Sequence, residues 1–228
     1  MRPTVILFDI DGTLLDTGGA GRRAVRRAFA EVHARPDACD GLSFGGRTDP
    51  WIFGEGSRHI GAPTDAVAIQ ALLAAYLRAL ADELALSESY RVHPGALHAL
   101  AHAEASGCAV GLGTGNVREG AMLKLQRASL DGRFAFGGFG CDAAARHDLL
   151  RAGAVRGAAQ LGVEVSACRI VVLGDTPHDV DAARAIGATA VAVTTGSFDA
   201  AALHASGADL VVDGLDAPDA LLAIAGPV

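Results

Sequence analysis

Apolar and polar positions along the chain fall into two alternating patterns. Val5-Ile6-Leu7-Phe8 is a short unbroken apolar run, the mark of a buried strand. Similar runs recur at 108–113, 169–175, 189–193 and 209–212, with a shorter candidate at 134–139. Between them the apolar residues follow a helical period. Helices are predicted over 22–33 (apolar Val25, Ala28, Phe29, Val32), from Pro50 onward with Thr48 or Asp49 as cap, and over 65–86 and 95–106. Asn116 and Glu119 have capping-box spacing, which predicts a helix from about Val117. Further helices are predicted over 145–161, from Pro177 behind Thr176, over 199–205 and over 216–224. Strands alternating with helices predict an α/β fold with a parallel sheet and right-handed crossovers. The segment that follows the first strand, from about 18 to 88, is helical throughout. The chain therefore divides into a core, 1–17 and 91–228, and a helical insertion, 18–90. Gly18 and Gly19, with residues 90–93, are the expected hinges.

Composition narrows the class. With 228 residues, 50% hydrophobic, and a mean hydropathy of +0.31, the chain has material for one sizeable core and a smaller insertion. No apolar run reaches membrane-spanning length, and the N-terminus enters a strand bearing an Asp. A cytoplasmic protein without a secretory signal or membrane partner is expected. The net charge of −7 argues against nucleic acid as a partner. Cys39, Cys108, Cys141 and Cys168 form no C-x-x-C pair and read as reduced core thiols. Arg22, Arg23, Arg26 and Arg27 read as a solvated helix face, with attraction of an anionic substrate as the second reading. His98 and His102 share a helix face but lack a third ligand, so they read as surface or packing residues.

The chemistry sits at strand ends. Asp9 and Asp11 follow the first strand two residues apart, pointing the same way if extended. Two carboxylates held together need a counter-charge, and a hard cation supplies one through oxygen ligands. Asp175 ends the 169–175 run in the same relation, and Asp179 falls in the next helical turn. An unpaired buried Asp175 makes little sense without a cation. Thr114-Gly115-Asn116, at a strand-to-helix turn, offers a hydroxyl and backbone N–H groups to an anion. Gly111-x-Gly113-x-Gly115 half-matches a dinucleotide fingerprint, but Val117 or Arg118 stands where the third glycine belongs. In a parallel sheet all these strand ends share one edge, where ligands of open α/β sheets bind.

Taken together, D-x-D-G-T-L from Asp9, T-G-N from Thr114 and G-D-x-x-x-D from Gly174 resemble the haloacid dehalogenase superfamily in its phosphatase branch. The resemblance covers the whole chain. It implies a Rossmann-like core with a C1-type helical cap. It implies Asp9 as the nucleophile that becomes an aspartyl-phosphate, and Asp11 as general acid/base. It implies Mg2+ held by Asp9, the Asp11 main-chain carbonyl, Asp175 and Asp179. Thr13, Thr114, Gly115 and Asn116 would bind the phosphoryl group. The family's third motif carries a basic residue, usually Lys. Arg146 is the best positional match, and Lys124, the only lysine in the chain, lies earlier than the motif normally falls. Within the family the likeness runs to phosphoglycolate phosphatase-like members acting on a small phosphorylated metabolite, with Arg47 reaching a distal anionic group. Asp11 argues against the dehalogenating branch. Phosphonoacetaldehyde hydrolase is disfavoured because no lysine precedes residue 124 to form its Schiff base. A phosphosugar mutase of the β-phosphoglucomutase type is the alternative, and a non-catalytic binding protein on this scaffold a second. Monomer and homodimer are both compatible with the sequence.

Overall fold

In the computed structural model, which describes residues 2–225, the elements follow in the order β1 (Thr4–Phe8), β2 (Leu15–Asp16), α1 (Ala20–His33), α2 (Asp49–His59), α3 (Ala66–Leu86), β3 (Arg91–Val92), α4 (Ala96–Ala105) and β4 (Ala109–Gly113). Then come α5 (Arg118–Gln126), β5 (Gly137–Gly138), α6 (Arg146–Gln160), β6 (Arg169–Gly174), α7 (Pro177–Ala185), β7 (Thr189–Val193), α8 (Ala200–Ala205), β8 (Leu210–Val212) and α9 (Pro218–Ala225). Six strands form one parallel sheet in the order β5-β4-β1-β6-β7-β8. The chain builds outward from β1 in both directions, so β1 is the point where strand order reverses. Ligands of open α/β sheets gather at the carboxyl end of that point.

Side-chain alternation across the pleat explains the layers. Ile6 and Phe8 of β1 enter one core with Leu112, Val171 and Leu173, covered by Ala96 and Leu100 of α4, Leu125 of α5 and Ile224 of α9. Val5 and Leu7 face the other way, onto Leu149 and Leu150 of α6 and Val180 and Ala183 of α7. A parallel sheet needs both faces covered, which explains why its strands read as unbroken apolar runs.

The insertion has its own packing. Ala24, Val25, Ala28 and Phe29 of α1 meet Phe53 of α2 and Leu72, Tyr76 and Leu80 of α3. Thr48 caps α2 by accepting from the Trp51 amide, and Asp65 caps α3 by accepting from Val67 and Ala68. The antiparallel pair β2–β3, Leu15 opposite Val92, ties together the two crossings at the predicted hinges. Gly18 and Gly19 sit directly beyond it, and Ser87 donates to the Thr17 carbonyl.

Some expectations shift. The short strand expected within 134–139 is Gly137–Gly138, the two residues that pair with β4. Val32 ends the α1 apolar stripe at 36% exposure. All four cysteines are free, but Cys141 is exposed in the loop after β5 and is not a core thiol. Arg23 and Arg27 pair with Glu83, and Arg26 with Asp40, as a solvated face would, whereas Arg22 turns onto a cavity. His98 is exposed and His102 half-buried, in keeping with surface or packing roles. Among the described residues no helix is long and apolar enough to cross a membrane.

Candidate active site

The turn after β1 sets the geometry. The Asp9 amide donates to Leu173 of β6 at 2.9 Å, keeping Asp9 in line with the neighbouring strand. The amides of Thr13, Leu14 and Leu15 all return to the Ile10 carbonyl, which coils residues 10–15 into a tight loop. Gly12 makes that loop possible. Its φ is +83°, and a Cβ there would stand 2.3 Å from Asp175 Oδ2.

Three carboxylates converge at this edge. Asp9, Asp175 and Asp179 are all buried, and each offers an oxygen within 4.8 Å of the others. Arg146, the first residue of α6, reaches across with Nη2 to Asp9 Oδ2 at 2.9 Å and with Nε to Asp179 Oδ1 at 2.8 Å. Its Nη1 donates to the Gly46 carbonyl of the insertion at 3.2 Å. Asp179 Oδ2 accepts from the Thr176 amide and hydroxyl, closing a capping box on α7. One residue therefore caps a helix and faces the acidic cluster.

Burial dominates the electrostatics. It pushes the Asp9 carboxyl up to about 6, with Arg146 pulling down and Asp179 pushing up. Burial also raises Asp175 well above the usual carboxylate range, reinforced by Asp179 and Asp9. For Arg146, burial disfavours the charge, but Asp179 and Asp9 outweigh it, so its pKa rises. Three buried acids against one shared cation leave the cluster short of positive charge. Its donors are all hard oxygens, so the residues fit a divalent cation such as Mg2+.

A second network lies on the other side of the β1 turn. Asn116 Nδ2 donates to Asp11 Oδ2 and to Thr114 Oγ1, both at 2.8 Å. Lys124 Nζ donates to Asp11 Oδ2 and to Asn116 Oδ1, both at 2.6 Å. Asn116 therefore does not cap α5. Val117 holds the cap position, and its amide donates instead to Asp49 Oδ2 at 2.8 Å. Asp49 also gives its own amide to the Gly115 carbonyl at 2.8 Å. The contact is close: a Cβ on Gly115 would lie 2.1 Å from the Arg47 carbonyl. The start of α2 is clasped to the turn after β4.

Asp9, Asp11, Thr114, Gly115, Asn116, Arg47, Arg146 and Asp175 all line one cavity of about 240 Å³. Asp179 lies behind it, bonded to Arg146. Thr13 is placed elsewhere: it is fully buried, and its hydroxyl donates to Asp175 Oδ1 at 3.3 Å. Arg47 stacks on the Trp51 ring at 4.4 Å, and Arg22 on the Phe44 ring at 3.9 Å, both at the cavity wall. Tyr76 and Ile52 supply apolar wall.

Asp49 escapes reasoning from motifs alone, and for Lys124 the motifs offer only the third-motif role. Asp49 is buried in the cavity wall, and burial pushes its carboxyl up to about 6, with Lys124 pulling down. A signal existed: Thr48 and Asp49 are two cap-type residues in succession, and a helix needs one. Lys124 is the sole lysine of an arginine-rich chain, and it pairs with Asp11, while Arg146 pairs with Asp9.

The family description of haloacid dehalogenase-like hydrolases matches residues 3–187. No curated protein matches the chain. Among solved structures, a hydrolase from Pseudomonas syringae is similar at 22% identity and TM-score 0.70, covering 93% of this chain and 94% of its own. A predicted phosphoglycolate phosphatase from Haemophilus somnus is similar at 17% identity and TM-score 0.67, covering 95% and 96%. CbbY from Rhodobacter sphaeroides, solved in complex with phosphate, is similar at 19% identity and TM-score 0.70, covering 94% and 96%. At these identities the solved structures speak for the fold; the match over 3–187, joined to the acidic strand ends described above, places this chain in the haloacid dehalogenase-like hydrolase family.

Proposed function

We propose that the protein is a Mg2+-dependent phosphatase that hydrolyses a small phosphomonoester through an aspartyl-phosphate on Asp9, with residues 18–90 acting as its cap. The observation that carries this reading is the meeting of Asp9, Asp175 and Asp179 within 4.8 Å beside Arg146. Charge count supports it. Asp9, Asp11, Asp49 and Asp175 line the cavity with Arg22, Arg47, Lys124 and Arg146, and Asp179 stands behind Arg146, so five acids face four bases. A divalent cation turns that deficit into a formal +1, which attracts a phosphomonoester dianion. The cavity, about 240 Å³, falls below the roughly 300–1,000 Å³ of drug-sized sites, which favours a small metabolite of the phosphoglycolate kind.

Asp9, Asp175 and Asp179, with the Asp11 main-chain carbonyl, would hold Mg2+. When bound, the ion screens the repulsion between an anionic nucleophile and an anionic phosphate. The protein's own groups supply the rest. Asp9 attacks phosphorus in line, forming its carboxyl O–P bond as the ester P–O bond breaks. Asp11, protonated at that moment, gives its proton to the departing alkoxide. It then takes a proton from water as the water oxygen bonds phosphorus and the Asp9–P bond breaks, returning both acids to their starting states. Arg146, the Thr114 hydroxyl and the Gly115 amide hold the equatorial oxygens. Arg22 and Arg47 stand at the wall where a distal anionic group would lie. The bond from Val117 to Asp49 ties the cap to the turn after β4, and a cap held over the site would exclude water.

The test is a panel of phosphorylated small acids, alcohols and sugars, incubated with and without Mg2+. Inorganic phosphate is expected from at least one small phosphomonoester, and none after chelation. Conversion of a sugar 1-phosphate to its 6-phosphate without phosphate release would favour the mutase. No reaction of any ester by folded, Mg2+-supplied protein would favour a binding protein.

A further inference from the structure

Lys124 sits on α5, and its side chain is only 6% exposed. Burying an ammonium costs several kcal/mol unless charge and hydrogen bonds replace its water, so its partners show what holds it there. Nζ donates at 2.6 Å to Asp11 Oδ2 and at 2.6 Å to Asn116 Oδ1. Asn116 gives its own Nδ2 to that same Asp11 oxygen at 2.8 Å and is anchored by Thr114. One oxygen of Asp11 thus receives two donors from a closed triangle, and among the described residues no side chain bonds the other. The Asp11 side chain is 42% exposed and faces the cavity. The position of Lys124 is itself fixed: the Tyr90 hydroxyl donates to its carbonyl at 2.7 Å, and Arg127 lies over the Tyr90 ring.

The geometry points to Lys124 as the positioning residue of Asp11: with Asn116 it pins Oδ2, so that Oδ1 is the oxygen that exchanges protons with the leaving group and then with water. The division of labour is spatial. Arg146 serves the nucleophile from the α6 side, and Lys124 serves the acid/base from the α5 side. This assignment rests on the phosphatase reading.

Leaving-group chemistry separates the role from a structural one. An alkoxide leaves poorly and needs a proton; a nitrophenolate leaves without one. In Lys124→Met, steady-state turnover of an alkyl phosphomonoester is expected to fall ~100-fold, the low end of what a placed acid/base contributes. First-turnover release of p-nitrophenolate, followed by rapid quench with saturating Mg2+, is expected to fall by less than about fivefold, because that step does not draw on the acid. Phosphoenzyme then accumulates, since Asp11 must still activate water for the second step. Equal losses for both substrates would overturn the assignment and place Lys124 on the phosphoryl group or in the fold. Unchanged turnover of both would overturn it as well. A wild-type protein inert towards both esters would overturn the phosphatase reading and this inference with it. Should Lys124→Met not fold, Lys124→Gln, which retains an N–H donor but no charge, replaces it; an unequal loss is again expected, and equal or absent losses again overturn the assignment.

Discussion

Arg146 is the side chain that most opposes the burial-driven rise of the Asp9 carboxyl, the proposed nucleophile. It is 9% exposed and bonded through Nη2 to Asp9 and through Nε to Asp179, so it offsets their repulsion. Arginine suits this better than lysine, because its planar fork binds two oxygens at once and stays charged when buried. Arg146→Ala is expected to lose about 2–4 kcal/mol of transition-state stabilisation, roughly 30- to 1,000-fold in kcat/KM, with Mg2+ saturating. Steady-state kinetics on the best phosphomonoester check this, and a wild-type value would remove Arg146 from the chemistry. Asp49 makes a different prediction. Burial raises its carboxyl from 3.8 to about 6, so the unfolded chain ionises first as pH rises. Between those values the folded state binds more protons than the unfolded state, and Asp49 therefore costs stability as pH increases. Asp49→Asn keeps an acceptor for the Val117 amide and lacks this cost. Its stability relative to wild type should grow across the interval from 3.8 to about 6, by on the order of 3 kcal/mol at about 1.4 kcal/mol per pH unit. Urea unfolding at a series of pH values measures it, and a flat difference would contradict the burial argument.

At the scale of elements, α3 is the longest helix described, Ala66–Leu86, and its start depends on Asp65. Asp65→Ala is expected to cost about 1 kcal/mol, a fall in Tm of roughly 2–4 °C for a chain of this size, with kcat unchanged because the cap lies away from the cavity. Calorimetry beside a phosphatase assay tests both halves. Elements of this kind are legible in sequence because their causes are local. A strand buried on both faces has to read as an apolar run, and an Asp at its end has to face the sheet edge. Asp9, Asp11 and Asp175 could be placed that way. What is not legible depends on distant partners. Asn116 has the spacing of a capping residue, yet its side chain is taken by Asp11 and Lys124, and Asp49 bonds the helix-start amide from 68 residues away. Lys124 lies on a helix between apolar neighbours, where nothing local distinguishes a surface cation from a buried one. Strands of two residues, such as β2 and β3, lack enough length to show a period.

For the whole molecule, the sheet brings acids from 9, 11, 175 and 179 to one edge, and the helical insertion covers that edge. Arg146 to Gly46, Gly115 to Asp49 and Val117 to Asp49 are all bonds between the sheet's edge and the insertion. The acidic cluster is the least compensated part of this assembly, so a ligand that neutralises it should stabilise the entire fold. Mg2+ at a hundred times its dissociation constant is expected to add about 2.7 kcal/mol, raising Tm by roughly 5–10 °C. The rise should vanish in Asp175→Asn, and an equal rise in that variant would place the ion elsewhere.

The most direct measurement is acid-quench trapping during turnover of a phosphomonoester labelled at phosphorus, followed by peptide mapping. The label should appear on the peptide bearing Asp9, decay when unlabelled substrate is added, and be absent from Asp9→Asn. Turnover that leaves the label on another residue, or that survives intact in Asp9→Asn, would contradict the account.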